Sequence, residues 1–169
     1  RETEEKSLQW FLDTVIVSDI RAVIDSGAGY LAFSLIAQSI ELLGALLDEN
    51  DFEFYEKGLP EARFSKGITE LFRPINAKYA QYNKADSEYY LWENLRCGMA
   101  HILRPKSRIL FTGRSEASRS VWKHLEEVNV DGTTCLLMVI EDFHDDLREA
   151  CRRAINKIPK KTHAKLKQG

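Results

Sequence analysis

The sequence predicts a mainly α fold, a helical bundle with a small antiparallel β-hairpin before the last helix. Three observations carry this. Apolar residues recur every three to four positions over several long stretches, the period of a helix with one buried face. Pairs of glycines and single prolines punctuate those stretches. Between Arg108 and Val139 the helical period lapses, and Asp131-Gly132, the dipeptide of a tight hairpin turn, separates two strand-like runs.

The first helix is expected from about Glu4 to Asp25. Leu8, Phe11, Leu12, Val15, Ile16, Ile20, Val23 and Ile24 form its apolar stripe. Gly27 and Gly29 then stop it, because glycine accepts the positive φ that ends helices. Tyr30 to Asp48 is the second helix. It is apolar on most faces, as a central helix should be, and Gln38 and Glu41 are its notable polar residues. A charged side chain there must find a partner, a cavity or a gap to solvent.

Asn50 to Glu61 is acidic, carries Phe52, Phe54 and Tyr55, and reads as a loop or short helix. Ile68 to Phe72 reads as one short helix ended by Pro74. Ile75 to Lys84 fits no single period. Asp86 or Ser87 can cap the next helix, which runs through Tyr89, Leu91, Trp92, Leu95, Met99, Ile102 and Leu103 to a stop at Pro105. Gly98 lies inside it at a cost of about 1 kcal/mol relative to alanine, which marks a close backbone approach.

Arg108 to Thr112 reads as a short strand and Gly113 to Ser120 as a polar loop. Val121 to Val130 and Thr133 to Val139 are the arms of the hairpin. Glu141 to Ile158 is the closing helix, with Phe143, Leu147, Ala150, Cys151, Ala154 and Ile155 on its buried side. Its acidic start and basic end suit the helix dipole. Lys160 to Gly169 reads as a basic, disordered tail. No repeat or linker divides the chain, so residues 1–159 are expected to form one domain.

The 169 residues are 44% hydrophobic and 30% charged, with a net charge of -2. That balance excludes a generic nucleic-acid coat, so any RNA contact requires a local basic patch. The three cysteines, Cys97, Cys135 and Cys151, are too few and too widely spaced for a disulfide framework. They read as reduced thiols of a cytoplasmic protein. The stretch Tyr30 to Leu47 comes nearest to the ~18–20 apolar residues a membrane span needs. Polar residues interrupt it, so a core helix explains it better and no membrane is expected. The charged stretch Arg1 to Lys6 does not introduce a signal peptide.

The segment Asn94-Leu95-Arg96-Cys97-Gly98-Met99-Ala100-His101 carries the chemistry. Arg96 is a permanent cation able to grip a phosphate with two parallel hydrogen bonds. His101 can exchange a proton near neutral pH. Together they suffice to cleave RNA without a metal. The histidine moves a proton at the ribose 2′-hydroxyl or the leaving oxygen, and the arginine stabilises charge at phosphorus. Five α-helical residues turn through roughly 500°, so the two Cα directions differ by roughly 140°. The structural alternative pairs Arg96 with Glu93 or Glu41 and leaves His101 to cap the helix end.

This segment resembles the Arg-x4–6-His signature of HEPN domains. The apolar helix with Ser39-Ile40-Glu41-Leu42-Leu43-Gly44 resembles the second long helix of that fold. The resemblance implies a helical homodimer and a metal-independent endoribonuclease of the kind found in toxin–antitoxin systems, phage defence and RNA processing. It equally allows a non-catalytic relative that binds a nucleotide, RNA, an antitoxin or another protein. The position after the arginine is often Asn, Asp or His in active members, and here it is Cys97. By this likeness Arg96 would bind the scissile phosphate and His101 would act as general acid/base.

Glu41 could orient either of them, or could simply face solvent. Arg104, Lys106 and Arg108, with Arg114 and Arg119 beyond, could guide RNA phosphates or form a solvated loop face. Cys97 and His101 are four residues apart but no second pair has metal-ligand spacing, so neither metal nor cofactor is expected. Ser26-Gly27-Ala28-Gly29 lacks the Lys-Ser/Thr of a phosphate loop and reads as a turn between helices.

Overall fold

The computed structural model describes residues 7–158. The tail expected over 160–169 and the first residues of the expected opening helix lie outside that range. α1 covers residues 7–25, with wide π-type turns over Phe11–Ser18 running into the α-helical Asp19–Asp25. Gly27, at φ 89°, ends it. α2 is Gly29–Leu47, and Ile36, Ala37, Ile40 and Leu43 on it are fully buried. By length and composition α2 could cross a membrane, but 67% of its most apolar window is buried in the bundle, which accounts for its composition.

α3 is longer than the sequence suggested. Leu59–Gly67 continues through wide turns over Ile68–Phe72. Left-handed Gly58 and a proline in the first turn start it, because proline there loses no hydrogen bond that the helix needs. α2 and α3 cross at two glycines. A Cβ on Gly44 would lie 1.7 Å from the Arg63 carbonyl oxygen, and one on Gly67 would lie 2.4 Å from that of Ile40. Each helix therefore presses its backbone into a gap in the other. The buried Arg63 donates to Asp48 at 2.7 Å and to the Asp51 carbonyl at 2.9 Å, which fastens the acidic loop after α2.

α4, Lys78–Tyr82, occupies part of the ambiguous stretch and buries Tyr79 and Tyr82. α5 covers residues 91–102, with wide turns over Trp92–Cys97 and an α-helical Gly98–Ile102. It starts later than expected because residues 86–89 form a turn. Ser87 Oγ accepts the Tyr89 N–H at 3.2 Å, and Asn83 Oδ1 accepts the Trp92 N–H at 3.0 Å. Leu103 in a left-handed conformation ends the helix.

The sheet corrects the expected antiparallel hairpin. It has three strands in the order β1-β3-β2: β1 is Ile109–Thr112, β2 Glu126–Val130 and β3 Thr133–Val139. β2 pairs antiparallel with β3 around Asp131-Gly132, but β1 joins the other side of β3 in parallel, in register Ile109 with Leu136 through Thr112 with Val139. The reason is the segment read as a polar loop. It holds α6, Arg114–Arg119, whose Ala117 is buried. This crossover carries the chain to the far edge, so β3 returns up the middle. Val121 is not part of a strand; it is 82% exposed with φ 57°.

As the central strand, β3 is buried on both faces. Leu136 and Met138 join the main core, while Leu137 and Val139 pack with Ala117 and Val128 in a second cluster. α7, Ile140–Lys157, closes the fold and buries Phe143, Leu147, Ala150 and Ala154.

Candidate functional site

Leu91, Leu95 and Met99 recur every fourth residue and seat α5 in the core. Arg96 lies at the edge of that stripe and reaches α2. Its Nε and Nη2 both lie 2.7 Å from Glu41 Oε2, and the two side chains are only 19% and 21% exposed. The guanidinium carbon also sits 5.6 Å from the ring centroid of Trp92, one turn back. Trp92 in turn leans on Phe64 of α3 at 5.6 Å. Arg96 is thus held by a carboxylate from one side and an indole from another. Of the two partners the sequence offered, Glu41 takes it.

Gly98 shapes the next turn. A Cβ there would lie 2.7 Å from the Arg104 carbonyl oxygen and 3.1 Å from the Lys106 nitrogen. The Lys106 N–H donates to the Asn94 carbonyl at 2.8 Å. The chain after α5 therefore folds back along the helix that carries Arg96, and leaves Arg104 and Lys106 exposed beside it. Arg108 is tied to Glu88.

His101 is exposed near the end of α5, and its ring makes no hydrogen bond or ion pair with Arg96 or Glu41. The structure brings Arg96 and Glu41 together and leaves His101 facing solvent. Burial raises the Cys97 thiol above its ordinary range, partly offset by Arg96 and Lys106. A raised thiol stays protonated and is a poor nucleophile or ligand. Among the described residues no three His, Cys, Asp or Glu side chains are grouped to hold a metal.

One buried polar cluster went unread in the sequence. The Tyr79 hydroxyl donates to Asp146 Oδ2 at 2.6 Å and lies 2.8 Å from His124 Nε2. The Val139 N–H donates to His124 Nδ1 at 3.0 Å, so the proton of this neutral ring sits on Nε2 and points at Tyr79. Burial pushes His124 down to about 4 and Asp146 up to about 6. The cluster ties α4, the loop before β2, and α7 into one unit. Its members lie 45 and 67 residues from Tyr79, so no local spacing could have signalled it. His144, buried on α7, bonds the Val17 carbonyl of α1 through Nε2 at 2.8 Å.

Compared with family models, with curated proteins and with solved structures, the chain matches none.

Proposed function

We propose that this is a HEPN-like protein that acts on RNA as a metal-independent endoribonuclease. Arg96 binds the scissile phosphate, His101 serves as general acid/base, and Glu41 positions the Arg96 guanidinium. The observation that supports this most is the Glu41–Arg96–Trp92 clamp, which holds a cation in a set orientation on the helix that also carries the exposed His101. A fixed donor spends less entropy on a phosphate than a free surface arginine does. Exposed Arg104 and Lys106 would draw the RNA backbone toward His101. A homodimer would place two such sets in one cleft. The three free thiols suit a reducing cytoplasm.

A second reading has its own support. Glu41 already neutralises Arg96, and Cys97 replaces the polar residue common in active relatives of the HEPN type. On that reading the surface around Arg96 binds a nucleotide, RNA, an antitoxin or another protein partner without chemistry.

RNA cleavage in EDTA, parent beside His101→Ala, separates the two. His101 is exposed, so its loss should leave the fold intact. Cleavage by the parent alone supports the nuclease. Equal cleavage by both proteins would remove His101 from the mechanism. RNA retention without products would favour the binding module.

A further inference from the structure

We propose that the crevice at the carboxyl ends of β1 and β3 binds a small organic cation, an amine or guanidinium with an apolar or aromatic body. β1 and β3 are parallel neighbours, so both end on the same edge of the sheet. β1 leads through Gly113 into α6, and β3 leads directly into α7. Leu137 and Val139 face Ala117 of α6, whereas Leu136 and Met138 face the core that holds Phe143 and Leu147 of α7. The two helices therefore leave the strands toward opposite faces. The space lies outside the strand ends, the place where open α/β sheets take ligands, and is bordered there by Thr112, Gly113 and the start of α7. The turn between α1 and α2 supplies the third wall. The space measures about 310 Å³, at the small end of ligand pockets.

Its chemistry is apolar with one acid. Phe111 stacks on Phe33 at 3.8 Å between ring centroids, and Tyr30 meets Phe111 edge-on at 5.5 Å. Ile24 and Ile140 line the space as well. Tyr30 is 48% exposed, which leaves ring surface for a ligand.

Glu141 is the charged group in the lining. Its Oε2 accepts the Arg114 backbone N–H at 2.7 Å, which sets the carboxylate beside Gly113, and no hydrogen bond to Oε1 is made among the described residues. The Arg114 guanidinium is taken up by Asp142 at 2.6 Å and Asp145 at 2.9 Å, so it does not neutralise Glu141. A carboxylate beside aromatic rings favours a cation twice, through the ion pair and through the ring faces. The Glu141 carboxylate disfavours phosphate, although the α7 N-terminus opens nearby. None of the lining residues belongs to the Arg96 cluster.

Titration of the full chain with phenethylamine and with neutral phenethyl alcohol, followed by amide NMR shifts, tests this. The amine should move the Gly29, Gly113 and Glu141 amides and bind at least tenfold more tightly than the alcohol. Glu141→Gln should erase that preference. Gly29→Leu leaves the charge in place and should abolish binding of both compounds by filling the space. A Cβ at Gly29 meets only the Ile140 side chain, at 3.5 Å, so this variant tests the site even if Glu141→Gln fails to fold. Equal affinity for amine and alcohol, full amine binding by Gly29→Leu, no shift at these amides, or preference for inorganic phosphate would each overturn the proposal.

Discussion

Gly98→Ala sets two effects of opposite sign against each other, and the structure says which wins. Helix propensity alone favours alanine by about 1 kcal/mol, because Gly98 sits within the continuous helix of residues 91–102. Against this stands the Arg104 carbonyl, 2.7 Å from where the new Cβ would go. A backbone oxygen cannot swing aside as a side chain can. The loop must retreat by roughly 0.5 Å, and overpacking of this kind costs about 1–3 kcal/mol. The same retreat stretches the Lys106-to-Asn94 hydrogen bond from its 2.8 Å. Losing such a bond costs about 1 kcal/mol. The sum is a net loss of about 1–3 kcal/mol, a Tm lower by roughly 3–9 °C for a chain of this size. Urea unfolding of the parent and Gly98→Ala measures it. Ala100→Gly at an exposed site of the same helix calibrates the propensity term and should cost about 1 kcal/mol. A Gly98→Ala protein more stable than the parent would show that the loop does not lie against this helix, and the placement of Arg104 and Lys106 would go with it.

Gly44→Ala should be far worse, since its Cβ would fall 1.7 Å from the Arg63 carbonyl and two helices must separate to admit it. A soluble yield and Tm equal to the parent's would contradict the α2–α3 crossing. Arg63→Met removes the ion pair with Asp48 and a donor to the Asp51 carbonyl, and should cost about 3 kcal/mol in urea unfolding. A loss below about 0.5 kcal/mol would place that arginine in solvent.

The Tyr79 cluster makes a pH prediction with two opposing parts. His124 is lowered from 6.5 to about 4, so the unfolded chain gains a proton first and stability falls as pH drops through that window. Asp146 is raised from 3.8 to about 6, so the folded chain gains a proton first and stability rises as pH drops from about 6. Asp146→Asn keeps an acceptor for Tyr79 but removes the second part. Its stability should fall more steeply than the parent's between pH 6.5 and pH 4, and parallel curves from urea midpoints would refute the assignment.

The sequence by itself determined the helices that bury one face. The stripe from Leu8 to Ile24 and the one from Phe143 to Ala154 each state their period locally, and a helix needs only residues within one turn of one another. The Asp131-Gly132 turn was legible for the same reason. α6 was not, because a helix of six residues leaves too short a pattern and its polar composition imitates a loop. The parallel placement of β1 was not legible either. Which side of β3 it joins depends on the crossover and on the core that β3 enters, and neither is encoded in the four residues of the strand.

The candidate site divides along the same line. Arg96 and His101 could be named from one short segment. That Glu41, fifty-five residues earlier, would hold Arg96 was one of two options until the α2–α5 contact chose it over the local Glu93. The Tyr79–His124–Asp146 cluster and the crevice at the strand ends exist only where distant segments meet. Burial in the Tyr79 cluster gives its hydrogen bonds their weight, because a polar group removed from water must be answered by whatever the fold brings beside it.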